Sequence, residues 1–314
     1  MSTSCRWQQG RRHGLPTLRC ILCSPLTRRS LSLEQGKWSS PVTMDPAFED
    51  FLAKFSQVPH RVGTIDHPVW TGGAGPSILL MHELDGFSLP FIQLALRLSS
   101  GFRVHAPVFY GRAGESFSGL AGLGRAFFCM RKEFEVFRQG KTSQIVTWIR
   151  DLAGKIQADD PEGRRIGIIG MCMTGGIVLA TIAQEPIAAG VAAQPSLPFK
   201  TPLASKKLKE DLGMGQEDLE SAGSSSTPVL ILRYGNDKIC PVERITSIMT
   251  HIPSAILPSQ QLEAKLEHIH SHATLTDRYR QETSHEVKLV SDEVIAYVTH
   301  FLAEHLGHQA DGSA

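Results

Sequence analysis

The chain has 314 residues, 41% apolar and 20% charged, with a formal net charge of +1, which suffices for one large α/β domain with a buried sheet. Of its 32 basic and 31 acidic residues, seven basic (Arg6, Arg11, Arg12, Arg19, Arg28, Arg29, Lys37) and one acidic (Glu34) fall in residues 1–43, which leaves 25 and 30 for the rest. That balance excludes a basic face for nucleic acid or an anionic membrane, and no run approaches the roughly 20 apolar residues of a membrane-spanning helix.

Residues 1–43 are rich in Arg, Ser and Leu, with neither strand alternation nor a sustained apolar face. They read as a leader outside the core, either a mitochondrial transit peptide or an extension that is not part of the working protein. Cys20 and Cys23 have zinc or redox spacing, but no second pair completes a site. Six cysteines without the close spacing of a secreted scaffold point to free thiols and a cytoplasmic location, or a mitochondrial one if the leader is a transit signal.

The folded domain is expected over 44–308, with a flexible tail at 309–314. Asp45 and Pro46 open a helix in which Phe48, Phe51, Leu52 and Phe55 recur at helical spacing. Short apolar runs then alternate with longer amphipathic stretches. The expected strands are Ser77 to Met81, Arg103 to Val108, Arg165 to Ile169, Gly190 to Ala193, Pro228 to Arg233 and Lys265 to His270. The expected helices are Leu89 to Ser99, Thr142 to Ala158, Gly175 to Gln184, Pro241 to His251 and Ser291 to His305. This alternation, with strands apolar on both faces, predicts a mostly parallel central sheet with helices on both sides. Between Pro198 and Ser226 the chain turns polar, as either an excursion carrying a helix over the site or a solvated connector.

The sharpest local signal is Ile166-Gly167-Ile168-Ile169-Gly170-Met171-Cys172-Met173-Thr174-Gly175-Gly176, an apolar strand running through a turn into an apolar helix. It has the layout of a nucleophile elbow with Cys in the usual place of Ser. Gly170 and Thr174 supply the small residues such a turn requires, and the helix N-terminus behind the sulfur favours thiolate over thiol. A lone Cys is otherwise most often a small buried hydrophobe. If Cys172 is the nucleophile, chain order asks for an acid after a later strand and then a His. Asp237, in the Gly235-Asn236-Asp237 turn after the strand ending at Arg233, fits the first requirement, although the same tripeptide is ordinary turn chemistry. His268, His270 and His272 alternate along the expected last strand. Together they could ligate zinc, but a metal would not explain the elbow, so none is expected, and His272 at the strand's end is the expected general base.

With those residues in place, the chain from about residue 60 to 305 resembles the dienelactone hydrolase family, which implies an α/β-hydrolase fold. The likeness rests on Leu79 to Gly86, with its Glu-x-x-Gly turn, and on the loop Pro107 to Arg112. It rests also on the Cys elbow at Gly170 to Gly176, on Gln194 to Pro198, and on His272 with Ala273 to Thr276. The resemblance implies an oxyanion hole from the backbone N–H groups of Leu84 and Met173, and a nucleophile-modulating role for Glu83, whose alternative is a local salt bridge. It further implies a small ester or lactone as substrate, with no cofactor. The family's Arg shortly after the His is Thr276 here, Arg278 lies slightly further on, and Arg131 aligns loosely with the family's other carboxylate-binding Arg. The rival readings are a non-catalytic binder of a small metabolite and a redox role for Cys172. Oligomeric state is not legible in the sequence.

Overall fold

The computed structural model describes residues 45–115, 143–197 and 209–307. The expectations for the leader, the tail and Arg131 fall outside them. Helix α1 (Pro46–Lys54) opens where expected, with Asp45 as N-cap accepting from the Ala47 N–H at 2.9 Å and proline in the first turn. It stops one residue before Phe55, which instead begins strand β1 (Phe55–Val62). With β2 (Ile65–Gly72), β1 forms an antiparallel hairpin through a two-residue loop at Gly63, whose φ is +59°.

Then follow β3 (Ser77–Met81), α2 (Leu89–Leu98), β4 (Arg103–Pro107), α3 (Gln144–Asp159) and β5 (Ile166–Met171). A 3₁₀ turn at Cys172–Thr174 leads into α4 (Gly175–Thr181), β6 (Ile187–Ala193), α5 (Gln216–Ser224), β7 (Val229–Leu232) and α6 (Val242–His251). The chain closes with β8 (Ala255–Ile256), α7 (Gln260–Glu267), a 3₁₀ turn at Asp277–Tyr279 and α8 (His285–Gly307). The eight strands form one sheet in the order β1-β2-β4-β3-β5-β6-β7-β8. It is antiparallel at β1-β2 and β2-β4, and parallel from β4 onward.

Alternate residues of the central strands feed two cores. Leu79, Met81, Ile168 and Ile231 pack with Trp148 and Ile149 of α3, Ile177 of α4 and Ile248 of α6 on one face. Ile78, Leu80, Ile169 and Leu232 pack with Phe51 of α1, Phe91 of α2, Leu266 of α7 and Val294 and Leu302 of α8 on the other. This is the α/β-hydrolase arrangement, and because the parallel strands are buried on both sides, their C-terminal ends are where functional loops emerge.

The structure corrects one expected strand. Lys265 to His270 does not extend the sheet: it holds the end of α7, with His268 as C-cap and His270 in the following loop. Leu262 and Leu266, four apart, are the buried pair there, so the apolar period is that of a helix. The last strand is the two-residue β8, paired with β7 at the sheet edge. His268 and His270 are exposed while His272 is half-buried, so the three do not share a strand face. That removes the geometric basis of the three-histidine zinc alternative. The polar excursion carries helix α5, and residues 198–208 lie outside the described ones.

Candidate active site

Strand β5 ends at Met171, and the next residue, Cys172, adopts φ +55°, one of only two non-glycine residues with positive φ among those described. A non-glycine residue there carries strain that the surroundings must enforce. Two features do so. The Thr174 hydroxyl accepts from the Met171 N–H at 2.8 Å and has the carbonyls of Met171, Met81 and His82 within 2.9, 3.3 and 3.3 Å, tying the turn to the end of β3. Gly170 supplies the space: a Cβ there would stand 2.3 Å from the Thr174 carbonyl oxygen. Cys172 is 4% exposed.

Asp237 follows β7, its side chain buried. Its Oδ1 accepts from the backbone N–H groups of Ile239 and Cys240 at 2.8 and 3.0 Å, while Oδ2 lies 2.7 Å from His272 Nδ1. With Oδ1 committed to the backbone, the carboxylate presents one oxygen to the imidazole and fixes its tautomer with hydrogen on Nδ1. Cys172 is near enough for its charge to act on the ring. Burial alone would strip the imidazole of its proton, but the negative charge available at Cys172 and the bonds to Asp237 and Cys172 outweigh it and push His272 up to about 10. The structure therefore brings together the three residues expected from chain order, although His272 arrives on a loop after α7 and not on a strand.

Glu83 and Leu84 sit in the turn after β3. The Glu83 carboxylate accepts from the Thr276 hydroxyl and from Arg280 Nη2 at 2.8 Å, and the same nitrogen reaches Asp85 Oδ2 at 2.9 Å. The guanidinium partner of Glu83 is thus Arg280, eight residues after His272, while Arg278 pairs with Asp292 at the surface. Asp85 is held above the usual carboxylate range, first by burial and then by the neighbouring Glu83 charge.

Two residues of the Gln194 to Pro198 segment, which carried the resemblance but was given no role, also reach the site. The Ser196 hydroxyl donates to the Gln194 carbonyl at 2.6 Å and lies 3.3 Å from His272 Nε2, while the Ser196 N–H donates to the Cys172 carbonyl at 3.0 Å. Gln194, with φ +37°, accepts from the Thr274 hydroxyl at 2.6 Å, bracing the loop that carries His272. The resemblance marked their segment, but only their proximity to His272 and Thr274 gives them a role. Among the described residues no group of three or more His, Cys, Asp or Glu is arranged to hold a metal ion.

Residues 63–301 match the dienelactone hydrolase family. The chain belongs to that family. Among solved structures, this dienelactone hydrolase family member is similar to a Klebsiella pneumoniae protein provisionally described as a dienelactone hydrolase (17% identity, 77% of this chain and 97% of that one, TM-score 0.51). It is also similar to a dienelactone hydrolase-like promiscuous phosphotriesterase from metagenomic libraries (14% identity, 79% and 98%, TM-score 0.50). At these identities the likeness concerns the fold. A search of the curated proteins finds no match. Among the described residues, no helix of this family member is long and apolar enough to cross a membrane.

Proposed function

We propose that this dienelactone hydrolase family member cleaves a small ester, lactone or similarly activated acyl compound through a Cys172-His272-Asp237 triad and a thioester acyl-enzyme. The observation that carries the reading is the strained Cys172 beside an imidazole whose far nitrogen is held 2.7 Å from a buried carboxylate. His272, oriented by Asp237, draws the proton from Cys172. The thiolate attacks the substrate carbonyl carbon, and the electron pair moves to oxygen between the N–H groups of Leu84 and Met173. The intermediate collapses, the C–O bond to the leaving alcohol breaks, and His272 gives that oxygen its proton. His272 then takes a proton from water as the hydroxyl oxygen attacks the thioester, and the second collapse releases the acid and returns the thiolate. Asp237 keeps the imidazole in the required tautomer throughout.

Sulfur leaves a tetrahedral intermediate more readily than an amine, so the substrate class is esters, lactones and thioesters and not ordinary amides. Glu83, held by Thr276 and Arg280, is assigned a modulating role over the site. The test is hydrolysis of a panel of p-nitrophenyl esters and lactones by the protein and by Cys172→Ala and His272→Ala, with intact mass recorded during turnover. Turnover lost in both variants, with an acyl adduct on Cys172 in the parent, is the expected result. An inert parent with an unreactive Cys172 would overturn it.

A further inference from the structure

One carbonyl oxygen in the site is held by three donors at once. The Glu83 carbonyl accepts from the Gly86 N–H at 3.0 Å, from the Tyr110 hydroxyl at 2.9 Å and from His82 Nδ1 at 2.9 Å. The first closes the turn Glu83-Leu84-Asp85-Gly86, in which Gly86 takes φ +85°, a value glycine adopts without cost. The other two come from outside the turn, one from the end of β3 and one from the loop after β4.

The direction of each bond is settled chemically. His82 Nε2 accepts from the Phe109 N–H at 3.1 Å, so in the neutral ring the hydrogen is on Nδ1, which must donate. Full burial lowers the His82 pKa to about 4 and keeps the ring neutral; burial and the surrounding negative charges of Asp85, Cys172 and Glu83 raise that of Tyr110, so its hydroxyl keeps its proton. Both groups are thus donors at neutral pH.

The Glu83 carbonyl and the Leu84 N–H belong to the same peptide unit. In a trans peptide they point in opposite directions along one rigid plane, so pinning the oxygen aims the N–H. Donors on the oxygen also polarise the unit and strengthen the N–H as a donor in its turn. We infer that His82 and Tyr110 are positioning residues that aim and polarise the Leu84 N–H as an oxyanion donor, by holding the oxygen of its own peptide group. This rests on the hydrolytic reading above. It assigns a function to two side chains which that mechanism leaves unused, one at the end of β3 and one beyond β4.

The consequence is specific to steps that generate an oxyanion. Ester hydrolysis passes through one, whereas alkylation of Cys172 by iodoacetamide displaces iodide at a saturated carbon and does not. Tyr110→Phe keeps the ring and removes one donor. We expect kcat for ester hydrolysis to fall roughly tenfold with KM within about twofold, a smaller loss than deleting an oxyanion donor outright, while iodoacetamide alkylation proceeds at the parental rate. His82 supplies a second test: Asn can place an amide donor near Nδ1, and Gln can place only the Nε2 equivalent, so His82→Asn should retain more kcat than His82→Gln. An unchanged kcat in Tyr110→Phe, equal losses of hydrolysis and alkylation, or Gln outperforming Asn at position 82 would each overturn the assignment. A parent that hydrolyses no ester at all would overturn the hydrolytic reading beneath it, and is recognised without any variant.

Discussion

His272 holds its proton up to about pH 10 against a desolvation that would otherwise remove it. Since the folded value lies above the ordinary 6.5, its contribution to stability is complete below pH 6.5 and is lost as pH rises through about 10. In the proposed mechanism the imidazole takes the proton of Cys172, so His272→Ala should slow iodoacetamide alkylation of Cys172 at neutral pH by roughly tenfold or more. An unchanged alkylation rate would show that the two side chains do not act as a pair. His82 behaves in the opposite sense. It is lowered from 6.5 to about 4 by burial, so the unfolded chain binds a proton that the folded one refuses. Stability should therefore decline as pH falls from 6.5 to 4, by roughly 3 kcal/mol from this group if the full shift is realised. Denaturant midpoints across that window should show the slope, and the slope should shrink in His82→Asn.

At the scale of elements, the elbow depends on contacts from two directions. Gly170 leaves no space for a Cβ against the Thr174 carbonyl and Val178, so Gly170→Ala should destabilise the protein by about 2–3 kcal/mol and displace Cys172 from His272. A melting temperature and hydrolytic rate equal to the parent's would contradict this. Helix α7 matters for a different reason. Its Leu262 and Leu266 anchor it in the core formed with α8, and the loop bearing His272 leaves from its C-terminus. That loop is joined to the turn bearing Asp237 by the Gly235 N–H donating to the Leu266 carbonyl and the Asn236 N–H to that of Ile269. Leu266→Ala should cost about 3 kcal/mol and reduce hydrolysis beyond the loss of folded protein, as measured by activity per folded molecule.

Across the whole molecule, one guanidinium joins distant parts of the chain. Arg280 lies beside Glu83 and Asp85 from the loop after β3, and beside Asp277 from the turn before α8. Asp85 and Asp277 are both raised, first by burial, so their ionisation works against folding as pH rises, and Arg280 offsets that cost. Arg280→Met should therefore destabilise the protein by roughly 3–5 kcal/mol near neutral pH. The difference from the parent should narrow on acidification, as the carboxyl groups take up protons. A difference independent of pH would mean that Arg280 acts through packing alone.

The sequence was most informative where chemistry and local geometry coincide. The run from Ile166 to Gly176 combines a strand pattern, a required glycine and a nucleophile within a few residues, and chain order then leads to Asp237 and His272. The parallel core was legible for a related reason: strands buried on both faces are continuous apolar runs. Strand β1 was not. It is a largely exposed edge strand with Pro59 paired opposite Pro68, and an edge position tolerates prolines and polar residues that a central strand would exclude, so no alternation marks it. The stretch from Lys265 to His270 reads as a strand because it holds too few apolar residues to separate a strand period from a helical one, while Leu262 and Leu266 held the helical period. The partners of Glu83, the bracing of His272 by Ser196, Gln194 and Thr274, and the three donors on the Glu83 carbonyl join residues up to 197 positions apart. By itself the sequence determined which residue types are available, the layered α/β fold and the chain order of the candidate residues Cys172, Asp237 and His272, because these depend on local periodicity and on steric demands within a single turn. Only the tertiary structure decided which side chains meet across the sheet's C-terminal edge and which of them hold a charge there, because burial and proximity arise from the packing of segments that the linear order keeps apart.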